Sequence, residues 1–262
     1  MATRQTAGHA GELLREWRQR RRLSQLDLAI QADISARHLS FVETGRSKPT
    51  SEMILRLTEQ LEVPLRDRNR VLLAGGYAPA YPEHGLAEPE LAAVRAALRQ
   101  VLTGHEPHPA ILVNRWWDLI DGNASVATLT AGSAPWLLEP PVNALRLSLH
   151  PDGMAPRILN LAQWRAHLLT RLNRQVAATG DARLAELLAE LRGYPGGESE
   201  PPHRTDVVVP LRYLYQGQEL SFFSITAVIG TPMDVTVEEL AIESFYPADQ
   251  ATAAALRAAG PG

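Results

Sequence analysis

Apolar residues in the first quarter of the chain recur at the spacing of amphipathic helices. The pattern predicts helices over Gly11–Arg22, Gln25–Ala32 and Ser35–Thr44, and two more that open at Thr50 and after Pro64. The segments between them are short and contain turn-forming residues. The sequence therefore predicts an all-α domain of five helices over residues 11–76, preceded by a disordered stretch at 1–10.

Several of these predicted helix ends carry capping residues. Ser24 stands three residues before Asp27, the spacing of a capping box, in which each side chain accepts a hydrogen bond from the other residue's backbone. Ser35 is placed to cap the next helix, and Gly45 to end it in a left-handed conformation. These residues set the predicted boundaries of the second and third helices.

The residue pattern changes after the fifth predicted helix. Residues 77–89 carry several prolines, and we interpret them as a linker. A helix with a leucine and valine stripe follows over Glu90–Thr103. Ala110–Val113 and Trp116–Ile120 are predicted as paired short strands, with a turn at residues 121–123.

The rest of the chain combines helices with strands. Helical spacing predicts helices over Leu161–Ala178 and Asp181–Leu191. Strands are predicted over four later stretches: Val207–Leu211, Arg212–Tyr215, Leu220–Ile229 and Leu240–Tyr246. Residues 90–258 are therefore predicted to form an α+β domain, which makes the chain a multi-domain protein.

Composition narrows the possible chemistry. The chain has 262 residues, 45% of them hydrophobic and 21% charged, which is typical of a folded protein with a sizeable core. It contains no cysteine, which excludes disulfides, thiolate metal sites and a cysteine nucleophile. No secretory signal or membrane span is predicted, so we expect a cytoplasmic protein.

Charge is distributed unevenly between the two predicted domains. Residues 1–78 hold 13 Lys and Arg against 9 Asp and Glu, whereas the rest holds 13 against 20. A basic N-terminal piece on an acidic body is the distribution expected of a nucleic-acid-binding module with a separate partner domain.

Residues 23–50, LSQLDLAIQADISARHLSFVETGRSKPT, resemble the XRE/Cro-type helix-turn-helix family. The matching positions are Leu23, Ser24, Gln25, Leu28, Ala29, Ile34, Ser35, Glu43, Gly45, Arg46 and Pro49. The resemblance implies a five-helix, lambda-repressor-like fold that binds double-stranded DNA. It also implies that Arg18 and Glu43 form a structural pair joining the first helix to the end of the recognition helix.

The resemblance places the start of the recognition helix at the DNA. Arg37 is the one residue there that can bond bidentately to guanine, and Phe41 is expected to touch a thymine methyl or, alternatively, to belong to the core. The expected DNA-contacting residues are Gln25, Ser35, Ala36, Arg37, His38, Phe41, Arg46, Ser47 and Lys48.

Most of the second domain resembles the C-terminal domain of MmyB-like regulators. The similar segments are residues 75–83, 105–125, 140–172 and 219–247. The resemblance implies a PAS-like fold, an antiparallel sheet with helices packed on it, which encloses a cavity for a small molecule.

Tryptophans, a phenylalanine and arginines in this domain suit an apolar cleft with a cation at its mouth. We therefore expect a fatty acid or similar amphiphile as ligand, with no other cofactor, while each aromatic residue can equally be plain core. The expected ligand contacts are Trp116, Trp117, Arg146, Trp164, Arg165, Leu168, Phe222 and Ser224.

Catalysis and metal binding find no support in the sequence. His105, Glu106 and His108 lack the spacing of a helical zinc motif, and Pro107 interrupts the helix that such a motif needs. No nucleophile motif or phosphate-binding loop accompanies the other histidines. We expect neither an enzyme nor a metal site.

Two hypotheses for the second domain remain open. It either senses a small ligand or serves as a dimerisation or partner module without a ligand, the DNA-binding half then acting constitutively. A homodimer is expected in both cases, and the stripe of Leu91, Val94, Leu98 and Leu102 either forms the dimer contact or packs on its own sheet.

Overall fold

The structure is a computed structural model that describes residues 5–197 and 208–259. The chain divides into two compact units. The first runs as far as Gly85 and also takes in the later segment Thr231–Glu238. The second is formed by Leu86–Gly230 and the chain from Glu239 onward.

The first unit contains the predicted helices. Their bounds are α1 (Gln5–Arg20), α2 (Gln25–Gln31), α3 (Ala36–Glu43), α4 (Ser51–Gln60) and α5 (Leu65–Ala74). Helix α1 begins within the stretch 1–10 that was predicted to be disordered, and residues 1–4 lie outside the described part of the chain. The other four helices agree with the prediction to within about one residue.

Side chains cap these helices as predicted. The Ser24 hydroxyl accepts from the Asp27 backbone at 3.1 Å, and the Asp27 carboxylate accepts from the Ser24 backbone at 3.0 Å. Ser35 accepts from the backbone of His38 at 3.1 Å. Gly45, with φ of 71°, follows α3 in the left-handed region that glycine tolerates best.

The core of the first unit is apolar, and small residues let its helices approach closely. Ala29 and Ala32 are almost fully buried between α2 and its neighbours. The larger side chains of this core are Leu14, Trp17, Leu28, Leu39, Val42, Ile54, Leu57, Leu61, Val63, Val71 and Leu72.

The second unit contains most of the remaining elements. The helices are α6 (Ala92–Gly104), α7 (Ala127–Thr130), α8 (Ala144–Leu149), α9 (Leu161–Thr179) and α10 (Ala182–Arg192). The strands are β1 (Ala110–Val113), β2 (Leu119–Gly122), β3 (Leu211–Tyr215), β4 (Gln218–Val228) and β5 (Ala241–Pro247). Helix α11 (Val235–Glu238) lies in the segment that belongs to the first unit, and α12 (Gln250–Ala259) follows β5.

The strands form one sheet in the order β2-β1-β5-β4-β3, and every neighbouring pair is antiparallel. The last strand of the chain, β5, therefore lies in the middle, between β1 and β4. Ala110 pairs with Ser244 on one side of β5, and Phe223 pairs with Tyr246 on the other. The unit is an α+β, PAS-like domain, as predicted.

Two apolar clusters cover the two faces of the sheet. Leu98 and Leu102 of α6 pack with Ala110, Leu112 and Ile242. The predicted stripe on this helix thus packs on its own sheet. The larger cluster lies on the other face, where helices α8, α9 and α10 contribute residues such as Leu149, Leu172, Leu184 and Leu191.

Some predicted strands were wrong in position. Trp116 and Trp117 lie in the turn between β1 and β2, and the strand begins only at Leu119, because Trp117 takes a left-handed conformation with φ of 67°. Residue 207 lies outside the described part, and β3 begins at Leu211. Helices α7, α8, α11 and α12 had not been predicted.

The segment Thr231–Glu238 packs with helix α5 and the chain after it. The Val235 backbone donates to the Pro82 carbonyl at 2.9 Å, and Asp234 contacts the His84 ring nitrogen at 2.8 Å. The Leu65 backbone donates to the Glu238 carboxylate at 2.7 Å. Because Pro64 offers no side-chain cap, Glu238 caps the start of α5 from far along the chain.

Candidate functional site

Helices α2 and α3 form the helix-turn-helix of the first unit. The turn between them contains Asp33, with φ of 51°, and the Ile34 backbone donates to the Ala29 carbonyl at 2.9 Å. Helix α3 buries Leu39 and Val42 and leaves its opposite face open. This open face is the one that a recognition helix presents to a major groove.

Arg37, Phe41 and Arg46 form one cationic patch on that open face. The two guanidinium groups lie 5.4 Å and 5.9 Å from the centre of the Phe41 ring, within range of cation–π attraction. Both arginines are exposed, and Phe41 is half-buried outside the apolar core of the unit. The Phe41 ring therefore helps to position the Arg37 and Arg46 guanidinium groups at the surface.

Most of the other residues expected at DNA lie in the first turn of α3 or in the loop that follows it. The Ser35 hydroxyl is engaged in capping α3, while Ala36 and His38 are half-buried in its first turn. Ser47 donates its backbone N–H to the Phe41 carbonyl at 3.0 Å. Lys48 is exposed, with its ammonium 5.2 Å from the Tyr77 ring.

A buried ion pair joins α1 to the C-terminal end of α3. Arg18 donates from Nε and Nη2 to the two Glu43 oxygens, at 2.7 and 2.8 Å. The hydrogen bond to Glu43 raises the pKa of Arg18. The predicted pair is thus confirmed. Gln25, which was expected at DNA, donates its side-chain amide to Glu43 at 2.8 Å.

The second unit holds a cavity of about 90 Å³ between its sheet and helices. Its walls are almost entirely apolar: Ile111, Trp117, Leu119, Val126, Leu129, Leu138, Val142, Ala144, Leu145, Leu147, Met154, Trp164, Leu168, Leu211 and Phe245. Leu138 lines the cavity and is also exposed, which places it at the opening.

Four polar side chains line the same cavity. The Ser148 hydroxyl accepts from the Trp164 indole at 3.0 Å, and Thr130 donates to the Val126 carbonyl at 3.3 Å. The other two are Arg171 and Glu243.

Arg171 and Glu243 form a bidentate ion pair. Each terminal nitrogen of Arg171 lies 3.0 Å from a different Glu243 oxygen. The Thr226 hydroxyl accepts from Arg171 at 2.6 Å and donates to Glu243 at 2.8 Å, so each of the three side chains is hydrogen-bonded to the other two. Burial alone would raise the pKa of Glu243, but Arg171, with Ser224 and Thr226, holds it below its ordinary value. Glu243 is therefore ionised and paired.

The Trp117 ring forms one wall of the cavity in a strained backbone conformation, because a bulky residue rarely adopts positive φ. Its indole donates to the Gln175 side chain at 2.9 Å, and the Arg171 guanidinium lies 4.5 Å from its ring centre. Contacts from α9 thus hold the ring in place.

The predicted ligand residues fall into separate groups. Trp117, Trp164 and Leu168 line the apolar cavity. Trp116 and Arg146 line a second, polar cavity of about 220 Å³, where Arg146 pairs with Glu190 at 2.6 Å.

The remaining three predicted residues lie outside both cavities as described. Arg165 donates to the Arg192 carbonyl at 2.7 Å. Phe222 is fully buried in the larger core cluster. Ser224 is half-buried on β4 and contributes to the lowered pKa of Glu243.

Arg171 and Glu243 line the cavity but were not among the expected ligand contacts. A signal for each charged residue exists in the sequence. Arg171 stands seven residues after Trp164 and three after Leu168, so all three share one face of α9. Glu243 interrupts an otherwise mostly apolar strand.

Within residues 5–197 and 208–259, no three or more histidine, aspartate or glutamate side chains gather in a way that could hold a metal ion. None of the helices in that part of the chain is long and apolar enough to span a membrane.

This combination of a helix-turn-helix unit and a PAS-like unit with an apolar cavity defines a class of DNA-binding regulators with a ligand-binding domain. Residues 94–259 match the family of the MmyB-like transcription regulator ligand binding domain, and residues 9–71 match a helix-turn-helix domain family. The chain belongs to the MmyB-like family. It is a DNA-binding transcription regulator with an MmyB-like ligand-binding domain.

Two solved structures of the clp gene regulator ClgR from Corynebacterium glutamicum are also similar. Their sequence identities are 25% and 23%, and they cover 29% and 41% of this chain. The matches include 91% and 97% of those chains, with a TM-score of 0.24 in both cases. No curated protein matches the chain.

Proposed function

We propose that this regulator reads double-stranded DNA through α3 and changes that binding when a small apolar or amphiphilic ligand occupies the apolar cavity. In this proposal residues 11–76 carry the DNA-binding function and residues 90–258 the ligand site. The observation that carries it is the apolar cavity in the same chain as an exposed cationic recognition helix.

The DNA-binding half is supported by the chemistry of the open face of α3. Arg37 has the planar fork that pairs with the two acceptors of guanine in the major groove. Phe41 offers an apolar edge that suits a thymine methyl. Arg46 and Lys48, both in the loop between α3 and α4, supply charges of the kind that bind phosphates whatever the sequence.

The ligand-binding half is supported by the shape and lining of the cavity. Apolar walls favour a hydrocarbon, and about 90 Å³ is less than the roughly 150 Å³ of an engineered cavity that takes up benzene. A slim aliphatic chain, such as that of a fatty acid or a related amphiphile, suits the site better than a ring system. A longer chain enters only if side chains at the opening, such as Leu138, move.

Native mass spectrometry of the purified full-length chain tests the ligand. We expect a retained small molecule that is lost when the cavity is filled by Ala144→Leu, since Ala144 lines it. The matched control is Ala254→Leu, at an exposed position of α12. If the wild-type chain shows a ligand-free mass and its melting temperature is unchanged by aliphatic additives, the sensing role is wrong and a pure assembly role replaces it.

The DNA-binding half is tested by selecting bound duplexes from a random library and measuring the affinity of the selected site. The proposal expects one enriched sequence family, and expects the retained or added ligand to change the affinity for it. The size of that change equals the ligand's differential affinity for the two states of the protein. Affinity that is equal for selected and random duplexes would contradict sequence-specific binding.

A further inference from the structure

We propose that the apolar cavity selects ligands whose polar head is uncharged and accepts hydrogen bonds, because Glu243 already neutralises Arg171, the one cation among the described residues that line it. The inference deepens the proposed function and rests on it. It identifies Arg171 and Glu243 as a specificity device that favours a long-chain alcohol or ester over the corresponding carboxylate or ammonium ion.

The first step is the charge of the cavity lining. Among the described residues that line it, Arg171 and Glu243 are the only ionisable pair, and their charges cancel. The two terminal nitrogens of Arg171 each donate to one oxygen of Glu243, and Glu243 is only 5% exposed. An entering ligand therefore meets no net charge.

The second step concerns an anionic head. To pair with Arg171, a carboxylate would have to displace Glu243 or approach it closely. A buried charge that loses its partner is strongly destabilising, and two carboxylates at one site repel each other. The ion pair thus works against an ionised fatty acid at this end of the cavity.

The third step concerns a cationic head. Glu243 accepts from Arg171 at both oxygens and also from Thr226 at 2.8 Å. Few lone-pair positions of the carboxylate remain for an ammonium group, which would also face the Arg171 charge. A cation is therefore disfavoured as well.

The fourth step identifies what the site still offers. A guanidinium has five N–H donors, and three hydrogen bonds from Arg171 to described residues go to Glu243 and Thr226. Two N–H groups have no hydrogen bond within the described part of the chain. They can donate to a neutral oxygen, such as that of a hydroxyl or an ester, without breaking the ion pair.

Calorimetric titration of the full-length chain with three eight-carbon probes tests this selectivity. The probes are 1-octanol, octanoate and octylammonium, each at neutral pH, after removal of any retained lipid. We expect 1-octanol to bind at least about tenfold more tightly than either ion, equivalent to roughly 1.4 kcal/mol. Octanoate that binds as tightly as 1-octanol, or more tightly, overturns the inference.

The variant Glu243→Gln tests the device itself. It keeps the shape of the side chain and removes its charge, so Arg171 becomes available to an anion. We expect the ratio of octanoate to 1-octanol affinity to rise at least about tenfold, again roughly 1.4 kcal/mol. Ala254→Leu is the matched control and should leave the ratio unchanged. A ratio that stays the same in a folded Glu243→Gln protein overturns the role of Glu243.

A second variant covers the case in which Glu243→Gln does not fold. Replacing a buried ion pair by apolar residues of similar size is often tolerated. In Arg171→Met with Glu243→Leu, the advantage of 1-octanol over octane should shrink, because the Arg171 donors are lost and only the hydroxyls of Ser148 and Thr130 remain in the lining. An advantage that is as large in this double variant as in the wild type overturns the inference.

The same titrations distinguish failure of the proposed ligand site from failure of the selectivity for an uncharged head. If none of the three probes binds the wild-type chain, and filling the cavity by Ala144→Leu changes nothing, the cavity is not a ligand site and both proposals fall. If octanoate binds better than 1-octanol, the cavity is a ligand site and only the uncharged-head inference falls.

Discussion

At the scale of single residues, the arginines of this protein fall into two kinds. Arg37 and Arg46 are exposed, next to an aromatic ring, and have charge to spare for an anion. Arg18 and Arg171 are held by carboxylates at short distance. The same side chain thus serves recognition in one place and positioning in the other, according to whether a carboxylate reaches it.

Arg37→Ala is expected to lower specific DNA affinity by about 1–3 kcal/mol and to relax base choice at one position, because a bidentate contact to guanine is lost. Lys48→Ala should weaken binding to all sequences alike and flatten its salt dependence, because a phosphate contact is lost. Fluorescence anisotropy on selected and random duplexes at several salt concentrations measures both effects. Unchanged affinity and site preference in Arg37→Ala would show that this face of α3 does not read bases.

Arg18→Ala and Glu43→Ala are each expected to destabilise the first unit by about 3–5 kcal/mol, because each leaves a buried charge without its partner. Their side chains are 11% and 1% exposed, so solvent screens the pair little. Chemical denaturation of both single variants and the double variant should show strong coupling. Arg15→Ala, at an exposed position of the same helix, is the control. Strictly additive effects would show that the pair contributes no interaction energy.

The protonation of His167 is expected to make the second unit less stable in acid. Burial, together with the nearby Arg171, lowers the pKa of His167, while Glu243 partly offsets the effect. As the pH falls, the unfolded chain, whose histidine pKa is about 6.5, therefore binds a proton at a higher pH than the folded chain does. Stability from this residue is present above that pH and falls as the pH drops toward the folded-state pKa.

The measurement is the free energy of unfolding across that pH window for the wild type and His167→Gln. We expect a shallower pH dependence in the variant. The pKa of His108 is also lowered, first of all by burial, so His108→Gln serves as the comparison that separates the two histidines. An identical slope in His167→Gln and wild type would rule out a contribution from His167.

At the scale of elements, helix α5 depends on a residue that lies far away in the sequence. Its first turn begins at Leu65, whose backbone N–H donates to the carboxylate of Glu238. A negative group at a helix N-terminus is also favoured by the helix dipole. The loop between β4 and β5 therefore stabilises an element of the first unit.

Glu238→Ala is expected to cost about 0.5–2 kcal/mol of stability in the first unit, the usual loss for a removed N-cap. Hydrogen exchange should become faster at the first turn of α5, above all at the Leu65 amide. Glu59→Ala, on the exposed side of α4, is the control. Exchange at α5 that is as slow as in the wild type would mean that Glu238 does not cap the helix.

At the scale of the whole molecule, the size of the DNA-binding unit favours a homodimer. One helix-turn-helix module buries only about 600–1,000 Å² on DNA, and specific sites are usually read by two-fold dimers. The predicted stripe on α6 is used inside its own unit, since Leu91, Leu98 and Leu102 are buried. An apolar groove beside it remains open, where Val101 and Val228 are 54% and 69% exposed.

We expect a homodimer at micromolar concentration that protects a roughly palindromic site with half-sites about 34–36 Å apart. Sedimentation with and without DNA measures the stoichiometry. Val228→Asp should weaken the dimer if the groove forms the contact, whereas Leu73→Asp, at an exposed position of α5, should not. A monomer that binds one half-site would contradict the dimer.

Local patterns predicted much of this molecule. The capping residues Ser24 and Ser35 set helix starts that the structure shares, and the long helices α9 and α10 lie within about one residue of their predicted bounds. These features depend on neighbours a few positions apart, which periodicity and capping rules describe well. The pairing of Arg18 with Glu43 also followed from the residues, through their match to a family pattern.

Other features were decided only by the tertiary structure. Trp117 leaves its predicted strand because a turn with positive φ directs its ring into a cavity wall, and nothing adjacent in sequence indicates that turn. Glu243 meets Arg171 across 72 positions, and Glu238 meets Leu65 across 173. Such contacts depend on strand order and register, because β5 enters the middle of the sheet. The sequence by itself determined the long helices, most of the strands and the class of regulator, whereas long-range packing decided the remaining elements, which charges are neutralised and which remain free to bind.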